Sequence, residues 1–125
     1  MKVCVLGAGA WGTALAIHVA KKHDVALWAR DSGHVSGMKK SRTNPLYLGD
    51  FIFPDSLTLE NSLEVAIKDA EILISVVPTS GFRSILKDIY RINKNIPIIW
   101  ANKGLEKDTA KLPHEVAIDE LGNPS

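Results

Sequence analysis

Apolar residues occupy the chain almost without a break at 2–6 (KVCVL), and such runs return at 24–29, 57–59, 71–77 and 96–101. Between them, aliphatic side chains recur at three- and four-residue spacing. Continuous valine, leucine and isoleucine runs are what a parallel sheet covered on both faces demands of its strands, and the longer spacing is what covering helices demand. The first run therefore predicts a strand over 2–6, ended by glycines. A helix over 11–22 follows, made of small and aliphatic residues (Ala14, Leu15, Ala16, Ile17, Val19, Ala20) and stopped near His23 and Asp24. Residues 24–29 complete a β–α–β unit, whose crossover is expected to be right-handed.

Beyond that unit, 32–40 reads as a short helix. Residues 43–56 read as an ordered loop, because they hold two prolines, a glycine and aromatics. A weak strand is expected at 57–59, then a helix capped by Asn61 or Ser62 and running to about Lys68. EILISVV, residues 71–77, is the clearest strand in the chain, and Pro78 stops it. Thr79 or Ser80 is expected to cap a helix that sets Phe82, Ile85, Leu86, Ile89 and Ile92 on one face. A fifth strand falls at 96–101. The last helix falls at 114–121, with Pro113 tolerated in its first turn. Strands alternating with helices in this order predict an α/β fold with a doubly wound parallel sheet. A sixth strand would follow where the sequence stops, so the sheet is expected to be incomplete at its C-terminal edge.

A chain of 125 residues suits one domain, taken as 1–125. The formal charge of +1 and the lack of a basic run point away from nucleic acid and from membranes as partners, while leaving room for a small anion. The one cysteine, Cys4, sits in an apolar run and reads as a small core residue in a reducing compartment. No metal-ligand spacing occurs. The alanine-rich start imitates a secretory signal, but Gly7, Gly9 and Gly12 have no purpose in one, and Lys21 and Lys22 close the apolar stretch too soon for a membrane span. A cytoplasmic protein is expected.

GAGAWG, residues 7–12, lies between a strand and a helix, the setting in which spaced glycines bind a dinucleotide. Gly7 allows the tight turn, Gly9 lets the backbone approach a pyrophosphate, and Gly12 lets the helix pack on the strand. The N–H groups around Ala10 and Trp11, at the positive end of the helix dipole, would hold the phosphates, with the Trp11 side chain shielding them. The sheet is thus expected to be of the Rossmann type. At the end of the second strand, Arg30 suits the 2′-phosphate of NADPH and could stack on adenine. Asp31 suits the free hydroxyl of NADH, or merely pairs with Arg30 in solvent. NADPH is favoured. Lys103 follows the fifth strand at the sheet edge where ligands bind, and could meet a substrate phosphate and the nicotinamide; as a loop lysine it could equally serve solubility. Phe82 could flank the cofactor or pack in the core. Trp28 and Trp100 read as core, and His18, His23, His34 and His114 are assigned no catalysis.

With these residues in view, the chain resembles the bacterial NAD(P)-dependent glycerol-3-phosphate dehydrogenases from end to end. GAGAWGTALA (7–16), LWAR (27–30), NPLYL (44–48), VVPTSGF (76–82) and WANKGLE (100–106) are similar to that family's successive signatures, in order. The resemblance implies reduction of dihydroxyacetone phosphate to sn-glycerol 3-phosphate by NADPH or NADH, in support of glycerophospholipid synthesis. It implies that Trp11, Arg30, Phe82 and Lys103 contact cofactor and that Lys103 also contacts substrate. It admits a homodimer. The family's principal catalytic lysine belongs to a helical second domain that this stretch lacks, so no catalytic residue is assigned here and the chain by itself is expected to be inactive. A non-catalytic NADPH-binding module is the alternative.

Overall fold

A computed structural model describes residues 1–46, 49, 51–77 and 79–100, with the backbone alone at Thr79, Ser80 and Phe82. The expected helix at 114–121, Lys103 and the far end of the expected fifth strand lie outside the described residues. The order of elements is β1 (Lys2–Leu6), α1 (Ala10–Ala20), β2 (Asp24–Trp28), α2 (Ser32–Ser41), β3 (Leu57–Glu60), α3 (Leu63–Ile67), β4 (Ile72–Ser75), α4 (Thr79–Ile92) and β5 (Ile98–Trp100). The strands form one sheet in the order β3-β2-β1-β4-β5, every neighbouring pair parallel. This is the doubly wound α/β arrangement of the Rossmann type, with its topological switch between β1 and β4.

Alternation along the strands builds two cores. Val3 and Val5 of β1 face one side with Val25, Leu27, Leu57 and Leu59, where Ala16 and Ala20 of α1 and Val35 and Met38 of α2 cover them. Cys4 and Leu6 face the other side, beneath Ala66 and Ile67 of α3 and Ile85, Leu86 and Ile89 of α4. Small residues on α1 let its axis come close to the strands. Trp28 is buried as expected, and Trp100 is partly buried against the second core.

Several boundaries differ from the sequence expectation, each for a local reason. α1 starts at Ala10 and ends at Ala20, because the Lys21 and Lys22 amides turn back three residues to His18 and Val19 and tighten the last turn. β4 is shorter than its apolar run, although the Glu71 and Val76 amides still donate to the Lys2 and Leu6 carbonyls. β5 starts at Ile98 since Pro97 has no N–H to give; its carbonyl accepts from Leu73 instead. Ser62, not Asn61, caps α3, accepting from the Val65 amide.

The loop after α2 is tied down at both ends. Arg42 adopts the left-handed conformation (φ 56°) that closes α2, and its guanidinium donates to the Pro54 and Leu57 carbonyls at 2.8 and 2.9 Å. Phe53 fills the first core beneath it.

Candidate functional site

The carboxyl ends of β1, β2 and β4 meet at the switch point, where an open α/β sheet offers a crevice to ligands. Gly7 leaves β1 with φ 110°, its amide donating to the Trp28 carbonyl at 2.9 Å. A Cβ there would press on the Val76–Val77 backbone at 3.2 Å. At Gly12 a Cβ would lie 1.9 Å from the Gly7 carbonyl oxygen and 2.6 Å from Val76 Cγ2, so this turn of α1 sits directly on the β1–β4 seam. Gly9 is different: a Cβ there would meet no atom of the protein within 4 Å, and its backbone (φ −74°, ψ −173°) is open to any residue. The fold explains two of the three glycines. The third faces open space.

Gly9 is also the N-cap of α1, and no side chain caps that terminus or places an acid in its first turn. The first intrahelical bond runs from the Thr13 amide to the Gly9 carbonyl at 3.0 Å. The Ala10 and Trp11 amides thus precede the hydrogen-bonded ladder at the positive end of the helix. Trp11 is 62% exposed beside them.

A cleft of about 210 Å³ adjoins this terminus, lined by Gly7, Ala8, Trp28, Ala29, Arg30, Val77, Gly81 and Ile85. Arg30 lies exposed on its rim, with its guanidinium carbon 5.6 Å from the centroid of the Trp28 ring. Asn61 fixes this corner: its side-chain Nδ2 donates to the Ala29 and Arg30 carbonyls at 3.1 and 2.8 Å, and its backbone carbonyl accepts from the Trp28 indole at 2.9 Å. Asp31 neither pairs with Arg30 nor stands idle. Its carboxylate caps α2, accepting the His34 amide at 3.1 Å. A larger groove of about 420 Å³ lies between α3 and α4, lined by Glu64, Val65, Ile67, Lys68, Ile92 and Asn93, and shares no residue with the cleft beside the glycine turn.

Gly7, Gly9, Ala10, Trp11, Gly12 and Arg30 therefore gather around one end of the sheet. Phe82 belongs to α4, whose start is near the same edge, and only its backbone is described. Two residues given no role in the sequence reading belong to the site's frame. Thr13 and Asn44 are fully buried, and the Asn44 amide donates to the Thr13 hydroxyl at 2.8 Å and to the Ala8 carbonyl at 2.9 Å. The signal that could have found Asn44 is its place in NPLYL, an otherwise apolar block where a polar residue needs a partner.

Burial pushes the Cys4 thiol up to about 12, with the nearby Glu60 adding to the shift and Lys2 opposing it. A thiol so held is a packing residue and not a nucleophile. Among the described residues no group of histidine, cysteine and carboxylate side chains could hold a metal, and no helix is long and apolar enough to cross a membrane.

Residues 2–125 match the family described as the NAD-dependent glycerol-3-phosphate dehydrogenase N-terminus. The glycerol-3-phosphate dehydrogenase [NAD(P)+] of Methylobacillus flagellatus is 54% identical over 123 residues, which is 98% of this chain and 37% of the relative. That of Aromatoleum aromaticum is 43% identical over 98% of this chain and likewise 37% of its own length. The crystal structure of glycerol-3-phosphate dehydrogenase from Coxiella burnetii superposes with a TM-score of 0.92 at 34% identity, covering 98% of this chain and 38% of that one. The chain spans a little over a third of the length of the curated relatives it matches. On the family match and these identities, the chain belongs to the NAD-dependent glycerol-3-phosphate dehydrogenases, over the part that forms their N-terminus.

Proposed function

We propose that this chain holds NADPH or NADH at the β1–β2–β4 edge and forms the cofactor half of an enzyme interconverting dihydroxyacetone phosphate and sn-glycerol 3-phosphate. The observation that carries the reading is the division among the three glycines. Gly7 and Gly12 are required by the fold itself, while Gly9 faces open space in front of an uncapped helix terminus, which is where a pyrophosphate fits. The names of the relatives support the substrate pair and both cofactors.

In this reading the Gly9, Ala10 and Trp11 backbone binds the pyrophosphate, and the Trp11 ring screens it from water. The cleft bordered by Trp28 and Ile85 takes adenosine, and Arg30 on its rim meets the ribose 2′-phosphate. The bound cofactor supplies the hydride that, with one proton, turns the ketone into the secondary alcohol. Phe82 borders the cofactor. Lys103, outside the described residues, would contact substrate phosphate or hydroxyl at the same edge. No proton donor is assigned among residues 1–125. We read residues 1–125 as one cofactor-binding domain of a cytoplasmic, homodimeric protein; cell fractionation and light scattering on the intact protein check the last two points.

Titration of the purified chain with NADPH and NADH, followed by cofactor fluorescence, tests the reading directly, with dihydroxyacetone phosphate then added to the same sample. Binding without oxidation is the expected result. A folded chain that binds neither nucleotide would overturn the site, and steady oxidation would show that catalysis needs nothing beyond residue 125.

A further inference from the structure

Asn44 is buried completely where α2 gives way to the loop, and every hydrogen-bonding atom of its side chain is engaged. Its Nδ2 donates to the Ala8 carbonyl at 2.9 Å and to the Thr13 hydroxyl at 2.8 Å. Its Oδ1 lies 2.9 Å from His34 Nε2. An amide oxygen can only accept, so the imidazole carries its proton on Nε2 and donates it. The orientation of all three groups is thereby fixed.

The two atoms gripped by Nδ2 stand on either side of the phosphate-binding turn. Thr13 belongs to the first turn of α1, and its amide closes that turn on Gly9. Ala8 precedes Gly9, and the Ala8 carbonyl and the Gly9 N–H are opposite ends of one planar peptide unit. No peptide bond among the described residues is cis, so holding the carbonyl toward Asn44 aims the Gly9 N–H the other way. The chain of contacts continues outward. His34 lies in the first turn of α2, and its backbone amide is held by Asp31, the neighbour of Arg30.

We propose that Asn44 is a positioning residue for the dinucleotide: it sets the Ala8–Gly9 peptide and the first turn of α1 so that their N–H groups converge on the pyrophosphate. His34, bonded to its Oδ1, holds Asn44 in that orientation. The inference rests on the cofactor reading above. A merely stabilising pin would weaken every ligand of the domain alike, whereas a device that aims N–H groups acts on the pyrophosphate alone.

The test compares NADPH with adenosine 2′-monophosphate, which keeps the adenosine and the 2′-phosphate but has no pyrophosphate. Adenosine replaces it as the probe if the 2′-phosphate adds nothing. In the intact protein, Asn44→Ala is expected to raise the Kd of NADPH tenfold or more while changing that of the smaller probe less than twofold. His34→Ala should act in the same direction more weakly, and His34→Gln, which retains a side-chain N–H donor, should recover most of the loss. Equal weakening of both ligands, or an unchanged Kd for NADPH, overturns the proposal. If Asn44→Ala does not fold, the same ratio measured in His34→Ala decides: a ratio of one overturns it. Failure of the unaltered protein to bind NADPH instead sinks the cofactor reading, and this inference with it.

Discussion

Gly9 and Gly12 are three residues apart and obey different constraints. A methyl group at position 12 collides with backbone that cannot move, since Gly7 is itself pinned to Trp28. Gly12→Ala should therefore lower stability by about 1–3 kcal/mol or more, as overpacking does, measured by urea denaturation. Gly9→Ala places its methyl in open space; the unfolding free energy should change by less than about 1 kcal/mol, the difference between the two residues at a cap. NADPH affinity should nonetheless fall at least tenfold. Unchanged affinity would return Gly9 to an ordinary turn. Arg30 makes a separate contribution at the other end of the cleft. Arg30→Asp is expected to weaken NADPH more than NADH by about 1–3 kcal/mol, the worth of a charge-assisted contact, and equal weakening would remove its 2′-phosphate role. The glycine roles could be read from spacing alone because each is a backbone requirement tied to a local turn. Asn44 could not, since its partners Ala8 and Thr13 lie more than thirty residues away and no periodicity links them.

The helices show how far capping rules reach. α2 and α3 are closed by Asp31 and Ser62, while α1 opens on a glycine without a side-chain acceptor. Asp31 immediately before a helical stretch is a legible cap, and reading it only as a ribose or Arg30 partner overlooked the nearer donor, the His34 amide. Asp31→Ala should cost about 1 kcal/mol of stability by thermal or urea denaturation, and because α2 also presents His34 to Asn44, NADPH binding should weaken slightly as well. The strands were the most legible elements, since uninterrupted apolar runs have few alternatives to a covered parallel sheet. Their ends were less so. β5 begins late because Pro97 lacks a donor, whereas beyond β2 the Ala29 amide still donates to the Glu60 carbonyl, and neither is encoded in hydrophobicity.

At the scale of the whole molecule, Cys4 links stability to pH. The thiol ordinarily ionises near 9.0, and the folded protein raises this to about 12. Between those values the unfolded chain has released a proton that the native one retains, so stability falls as pH rises, by up to about 1.4 kcal/mol per pH unit. Below pH 9 this contribution is constant. Denaturation midpoints of the unaltered protein and Cys4→Ala, compared from pH 8 to 11, should diverge in slope above about 9; parallel curves would mean that the thiol is not protected.

The two cores described above are nearly separate along the chain: the buried residues of the first all fall between Val3 and Leu59, and most of those of the second between Ala66 and Ile96. Synthesis proceeds in that same direction. Once β3 has emerged from the ribosome, β1, β2 and β3 with their two helices possess every buried partner of their own face, and that half can close while β4 is still being made, about 1–3 s later at ordinary elongation rates. During that interval the edge of β1 awaiting β4 stands open, with the glycine turn at its tip. The nascent protein thus passes through an association-prone moment at the seam proposed to hold its nucleotide.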